Sequence, residues 1–367
     1  MGKKILQFGT GRFLRAFVDA FVQETAQDYS VTVIQSTPGP RAQWINDSES
    51  GYPIFVRGIR EGNTIDERIQ IQSVEKALVA ETEWDQIIDM ATSPDLSLIT
   101  SNTTESSYLL EEADQEKTDS VPRSYPAKLT SFLRARFDSG NGGITLAPCE
   151  LVENNGSALQ GLVLKQAEIW NEDTSFTNWL TNDCIWLDSL VDRMVVPPSE
   201  DDPALKNEPL CAVTEPFALW AIKKIPGQNL PFIEHPAIQW VDDLDPYFLR
   251  KVRILNGAHT AMVVKYLPKG YETVKQVMAD PEARDWVRSL MFEEIVPTIA
   301  HRVEGAATFA FDTLDRLTNP FFDHRLKDIA AGHEDKLKIR LAPTHAEYET
   351  LFGSAPSRIS EALQKAQ

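Results

Sequence analysis

KILQFGTGRFLRAFVDAF, residues 4–21, sets the fold class. Its first five residues form an apolar run of strand length. Gly9-Thr10-Gly11 then punctuates the chain. From Phe13 the apolar side chains fall at 13, 14, 17, 18, 21 and 22, the spacing of a helix, which is expected over 13–27. Strand, glycine turn and helix open a dinucleotide-binding unit. Small residues let the backbone approach a pyrophosphate, and the helix N-terminus turns its positive dipole end toward the phosphates. The third position of the GxGxxG pattern is Leu14, so the turn alone is a weak signal, and a plain tight turn would read the same way. Its place after a strand makes Phe8, Gly9, Thr10, Gly11, Arg12 and Phe13 the candidate cofactor-binding residues.

Outward from this stretch, YSVTVIQ (29–35), LSLIT (96–100) and ITLAP (144–148) read as strands, with helical patterns over 83–91 and 126–137. This alternation predicts an α/β fold, a Rossmann-type doubly wound parallel sheet. Ligands of such sheets lie at the carboxyl ends of the strands. Gln35 and Ser36 end the second strand, where an acid usually holds the ribose hydroxyls of NAD. No acid stands there, and Arg41 follows closely as a partner for a 2′-phosphate, so NAD and NADP both stay open. Ser101, Asn102 and Thr103 head the polar run TSNTTE (100–105), which serves equally as cofactor contact or helix cap. PPSEDDPALKNEP (197–209) reads as a surface loop. Beyond about residue 245 the pattern is mostly helical, over 246–266, 271–278, 281–302 and 309–317. The expected domains are therefore 1–240, binding the dinucleotide, and 241–367, a mostly α-helical substrate and catalytic domain.

The net charge of −18 excludes nucleic acid as the main partner and speaks equally against an anionic membrane surface. Three scattered cysteines, Cys149, Cys184 and Cys211, fit reduced thiols in a cytoplasmic protein. The N-terminal apolar run is too short for a signal peptide, and no stretch has the length of a membrane span. The expectation is a cytoplasmic monomer or homodimer acting on a small molecule.

KVRILNGAH (251–259) is the stretch richest in chemistry. On an α-helix, Lys251, Asn256 and His259 fall at about 0°, 140° and 80°, so they share one side. Alcohol oxidation needs a base for the hydroxyl proton while hydride leaves carbon. A desolvated lysine does this near neutral pH. An asparagine amide can donate to the developing alkoxide, and a histidine can hold a second hydroxyl. The same three residues also read as a solvated face. No cluster of His and Cys with metal-ligand spacing stands anywhere, so no metal is expected.

Taken with QFGTGRFLRAFVDAF (7–21), TSNTTE (100–105), SYPAKLT (124–130), PCELVENNG (148–156), LVDRMV (190–195) and RLTNPFFDHRL (316–326), the stretch KVRILNGAHTA (251–261) resembles the mannitol dehydrogenase family of long-chain polyol dehydrogenases. The nearest resemblance is to the branch that interconverts tagaturonate and altronate. It implies an NAD-dependent, metal-free oxidoreductase of a sugar acid or polyol, with the active site between its two domains. A neutral polyol such as mannitol is the alternative substrate, and a catalytically impaired NAD-binding homologue the alternative class. The resemblance makes Lys251 the general acid/base, Asn256 an oxyanion donor, His259 a substrate-positioning residue and Asp192 a substrate-side acid, with an Arg193 ion pair as the plainer reading of Asp192. Where many relatives carry a second oxyanion asparagine, this chain has Leu151, and Asn155 is the possible substitute. Arg316 and His324, with Arg325, Lys336 and Lys338, are basic candidates for a substrate carboxylate. The C-terminal domain is shorter than the resemblance leads one to expect.

Overall fold

The computed structural model describes residues 2–103, 107–118, 120–198, 202, 208–228 and 230–365. Most of the acidic 197–209 loop, and Thr104 and Glu105 of the polar run, lie outside the described residues. The chain divides into two compact units. The first comprises 1–55, 68–213 and 218–242, the second 56–67, 214–217 and 243–367. A single division near residue 240 therefore misses two short excursions of the first half, which pack with the second unit because their contacts are long-range.

The strands are β1 Lys3–Phe8, β2 Tyr29–Gln35, β3 Tyr52–Arg60, β4 Asn63–Ile71, β5 Val74–Val79, β6 Leu96–Ser101, β7 Thr145–Pro148, β8 Ile185–Trp186, β9 Ser189–Asp192, β10 Val195–Val196, β11 Ala212–Thr214, β12 Leu219–Lys223 and β13 Ile238–Val241. The main sheet has the order β5-β2-β1-β6-β7-β8, and every pairing in it is parallel. This is the expected doubly wound sheet. Two further sheets, β10-β11-β3-β4 and β13-β12-β9, were not foreseen. The β4 sequence NTIDERIQI is largely exposed and polar, so its period-2 pattern carries little apolar signal.

Both faces of the main sheet are covered, which is why its strands read as continuous apolar runs. Successive residues feed opposite layers. Ile5, Val33, Leu98 and Ala147 pack on one side. Leu6, Ile34, Ile99 and Leu146 pack on the other, against helices Tyr125–Asp138 and Asn155–Ile169. Each such side chain contributes about 1.5–3 kcal/mol on burial. The second unit has its own core, in which Ile254, Ala258, Ala261 and Met262 of one helical run meet Val287, Leu290 and Ile295 of another.

The helix expected over 13–27 is two, Arg12–Arg15 and Val18–Glu24. The Ala16 N–H is shared between the Arg12 and Phe13 carbonyls at 3.0 and 3.1 Å, and the Phe17 N–H bonds the Leu14 carbonyl three residues back at 3.2 Å, which tightens the turn and ends the α ladder at Phe17. Arg15 is buried there, donating to the Thr10 carbonyl and, from Nε at 2.9 Å, to the Leu210 carbonyl.

Asp19 lies behind this break, wholly buried, and accepts a 2.6 Å hydrogen bond from the Tyr52 hydroxyl. Burial pushes its carboxyl up to about 6, against the pull of Tyr52 and Arg15. The fold thus favours the protonated acid. The associated stability is complete below the unfolded value near 4 and is lost as pH rises through about 6. Asp19→Asn keeps an acceptor for Tyr52 and removes the buried charge. At pH 8 this variant is expected to resist urea better than the parent by roughly 2–3 kcal/mol. At pH 4 the two should unfold together, and a pH-independent difference would exclude the buried charge as the cause.

Candidate active site

In the first unit the glycine turn follows β1. Gly9 sits at φ +126°, a conformation natural to glycine. A Cβ there would lie 3.1 Å from Leu14 Cδ1 and 3.2 Å from the Asn102 carbonyl oxygen. Nothing stands within 4 Å of where a Cβ on Gly11 would point. Gly11 caps helix Arg12–Arg15 with backbone alone, and no side chain accepts from its first turn. Close packing at Gly9 and open space at Gly11 are what a pyrophosphate needs of such a turn. Phe8 is buried against Tyr125, with ring centroids 5.2 Å apart, and Thr10 is buried as well. Arg12 is exposed, and Phe13 stacks on Phe17 at 4.7 Å.

The loop after β6 is held to β1 and β7. The Asn102 N–H donates to the Phe8 carbonyl of β1 at 3.2 Å, and its side-chain amide donates to the Cys149 carbonyl at 2.7 Å. The organiser is Glu150, a buried carboxylate just past β7. One oxygen accepts from the Thr103 N–H and hydroxyl at 2.8 and 3.0 Å. The other accepts from Ser101 at 3.0 Å and from the Tyr108 hydroxyl at 3.1 Å. Burial, with the Glu150 charge beside it, drives the Tyr108 and Tyr125 hydroxyls far above their usual titration range, so both stay protonated. Glu150 was not singled out from the sequence. The available signal was an acid directly after the carboxyl end of a sheet strand.

Two expected binding side chains are committed elsewhere. Gln35 accepts from the Ala42 N–H at 2.8 Å and donates to the Gly39 carbonyl at 2.7 Å, closing the loop after β2. Ser36, beside it, is exposed. Asn155 is fully buried. Its Nδ2 donates to the Pro148 and Glu150 carbonyls at 2.9 and 3.2 Å, and its Oδ1 accepts from the Gly156 and Ser189 N–H groups. This amide ties β7 to β9 and has no donor left for a substrate oxygen, so the oxyanion role considered for Asn155 is replaced by a structural one. Leu151 is largely exposed. Asp192 ends β9 and is buried, opposite Leu219 of β12.

In the second unit, Lys251, Asn256 and His259 lie on one continuous helical run over 245–266, but the run is not uniform. Residues Lys251–Asn256 form a π segment between α-helices Asp245–Arg250 and Gly257–Tyr266. In a π turn the hydrogen bonds join residues five apart, and the turn is wider than that of an α-helix. Lys251 and Asn256 are five apart. The wider turn therefore narrows the offset of about 140° that an α-helix would leave between them. His259 follows Asn256 by three residues of regular helix and stays on that side. Such segments recur at functional sites. Lys251 and Asn256 are half-buried.

His259 is buried, and its Nε2 has no hydrogen-bond partner among the described residues. Its ring meets that of His324 edge-on, centroids 4.9 Å apart. Burial first, then His324 and the cations Arg316, Arg340 and Lys336, hold His259 well below the usual imidazole range, so it is neutral at physiological pH. His324 is shifted the same way by burial. The structure thus brings His324 to His259. Arg316 is differently placed: its Nε and Nη2 donate to Glu215 at 2.9 and 2.8 Å, and the guanidinium lies 4.2 Å from the Phe217 ring centroid. A fork already closed on a buried carboxylate is a poor receptor for a second one, so the expectation of Arg316 as carboxylate ligand gives way to a structural ion pair.

Residues 3–234 match the mannitol dehydrogenase Rossmann domain, and residues 243–350 the mannitol dehydrogenase C-terminal domain. Altronate oxidoreductase of Bacillus subtilis (strain 168) is 36% identical over 97% of this chain and 77% of its own length. The enzyme of the same name from Yersinia enterocolitica is 36% identical over 98% of this chain and 78% of its own length. Among solved structures, a substrate-free D-sorbitol dehydrogenase superposes with a TM-score of 0.84 at 20% identity, over 99% of this chain and 80% of that one. A mannitol 2-dehydrogenase of Pseudomonas fluorescens, in ternary complex with NAD and D-mannitol, gives 0.80 at 20% identity, over 100% and 78%. With both domains matched in order and relatives at this identity along nearly its whole length, the chain belongs to the mannitol dehydrogenase family.

Proposed function

We propose that this protein is an alcohol dehydrogenase that moves hydride reversibly between NAD(H) and a sugar acid, with altronate and its keto form tagaturonate as the lead pair. The observation that supports the reading is the π segment with Lys251 and Asn256 at its two ends, followed within one helical turn by the buried His259. The substrate class follows from the altronate oxidoreductases, which are 36% identical to this chain. The glycine turn, with its closely packed Gly9 and open Gly11, supports the dinucleotide.

The cofactor supplies the carbon that accepts or returns hydride. The rest falls to the chain. In oxidation, neutral Lys251 takes the hydroxyl proton on Nζ as the carbon–hydrogen bond breaks, and in reduction it returns that proton to the carbonyl oxygen. The Asn256 amide donates to the oxygen as it gains negative charge. His259, kept neutral by burial and by surrounding cations, offers Nε2 to a neighbouring hydroxyl. In this reading the polarisation of the oxygen falls to Asn256 and not to a metal, which the chelator arm of the test below examines. Among the described residues no group of three or more His, Cys, Asp or Glu is placed to hold one. No helix among the described residues is long and apolar enough to cross a membrane.

The test is a substrate and cofactor panel on the purified protein: altronate, tagaturonate, mannitol and sorbitol, each with NAD(H) and NADP(H), before and after chelator treatment. The expected result is highest kcat/KM with altronate or tagaturonate and NAD(H), unaltered by chelator. Preference for mannitol would move the assignment to a neutral polyol dehydrogenase. Binding of NADH without turnover of any substrate would reject an enzymatic role.

A further inference from the structure

Arg253 lies between Lys251 and Asn256 on the π segment, yet the preceding reading gives it no part in the reaction. It follows Lys251 by two residues, so it points away from that side chain by about half a turn. Its side chain is 8% exposed and is held by two separate acceptors. Nη1 donates to Thr344 Oγ1 at 2.7 Å, and Nη2 donates to Glu347 Oε1 at 3.2 Å. Both acceptors belong to helix Ala342–Phe352, three positions apart on one face. Each is itself fixed. Thr344 is fully buried, and its hydroxyl donates to the Arg340 carbonyl at 3.2 Å. The second oxygen of Glu347 accepts from Nη2 of the exposed Arg302 at 2.6 Å. A path of polar contacts thus runs from the surface at Arg302, through Glu347 and Arg253, to the backbone between Lys251 and Asn256.

Stability alone does not account for this arrangement. The neighbouring Ile254 and Leu255 already anchor the segment in the core of the second unit. A buried guanidinium is costly to desolvate, and an apolar side chain of similar volume often serves stability as well or better. What apolar burial lacks is direction. It fixes how deep a helix sits and leaves the helix free to rotate or to change its hydrogen-bond register. A planar fork of donors closed on two acceptors fixes both. The need is greatest here, because i→i+5 turns are rare and an α turn is the usual alternative. A segment that relaxed to the α register would widen the offset between Lys251 and Asn256 again.

We propose that Thr344 and Glu347, acting through Arg253, hold residues 251–256 in the π register and so set the Lys251 ammonium nitrogen and the Asn256 amide in place about the reacting oxygen. Arg253 and Glu347 are positioning residues, and no bond of the substrate is made or broken at them. The proposal rests on the assignment of Lys251 and Asn256 as the reacting centre.

The test compares Arg253→Met, Arg253→Lys, Glu347→Gln and the double variant of Arg253→Met with Glu347→Gln, on the best substrate of the panel above. Rates are measured well below each melting temperature and expressed per folded molecule. Because a displacement of about 1 Å at the reacting atoms costs about a hundredfold, Arg253→Met is expected to lower kcat by about 30–100-fold. KM and the affinity for NADH should stay within about threefold, since the contacts of the ground state are kept. Arg253→Lys keeps the charge but cannot close on both acceptors, and Glu347→Gln keeps an acceptor without the charge, so each should lose about three- to tenfold. The double variant should be no slower than Arg253→Met alone, because both changes break one path. A merely structural role would make activity follow the melting temperature and leave kcat per folded molecule unchanged. Folded Arg253→Met with kcat within about threefold of wild type overturns the proposal, as does a double variant whose loss is the product of the two single losses. If Arg253→Met does not fold, Arg253→Lys and Glu347→Gln carry the comparison, and wild-type kcat in both overturns it. If Lys251→Ala keeps wild-type turnover, the reacting centre itself is wrong and the proposal goes with it. If Lys251→Ala is slow while the folded Arg253 variants are not, only the positioning role fails.

Discussion

Lys251→Ala is expected to lower kcat by about 10²–10⁴, the usual contribution of a positioned acid/base. The affinity for NADH should stay within about threefold, because the change removes a proton acceptor and not a nucleotide contact. The decisive companion is Lys251→Arg. It keeps length and charge but cannot give up a proton near neutral pH. Its kcat should fall about as far as that of the alanine variant, whereas a lysine that merely anchored substrate by charge would be largely replaced by arginine. Steady-state rates followed by NADH absorbance, with NADH binding measured separately, decide between the two. Wild-type turnover in Lys251→Arg would remove Lys251 from the proton path.

Glu215→Ala is expected to lower stability to urea by about 3–5 kcal/mol. Arg316 and Glu215 have side-chain exposures of 4% and 1% and are joined through two donors. Removing the carboxylate takes from a buried guanidinium the acceptor of two of its donors, and the cost is mainly that uncompensated charge rather than the worth of the pair. The double change Glu215→Leu with Arg316→Leu removes both charges together and should lose less than Glu215→Ala alone. A double variant as unstable as the sum of its single changes would show that the two residues act independently. This pair also explains why a basic residue in a motif is a weak sign of ligand binding: the sequence displays Arg316, but not the acid 101 positions earlier that occupies it.

The physics that made parts of the protein legible is local. β1, β2, β6 and β7 are each within a residue or so of the stretches read as strands, because two covered faces demand an uninterrupted apolar run. The helices Trp84–Ala91 and Tyr125–Asp138 likewise fall where the spacing of apolar residues places them. The expected 13–27 helix was too long: the chain turns at Ala16 and Phe17, next to Arg15, whose bond to the Leu210 carbonyl is a contact no local pattern records. The roles considered for Gln35, Asn155 and Arg316 changed for a related reason. A polar side chain's type says what it can bond, and only its surroundings say which partner has already claimed it.

By itself the sequence determined the parallel sheet, the glycine turn that opens it, the helical character of the second half and the presence of lysine, asparagine and histidine on one helix. These follow from residue spacing and from backbone needs that each residue carries with it. The tertiary structure alone decided the π segment between Lys251 and Asn256, the Glu150 hub at the loop Ser101–Thr103, and the burial of His259 with its Nε2 unpartnered among the described residues. Each of these depends on what stands opposite a residue once distant segments are packed, and on which charges are then buried with or without a partner.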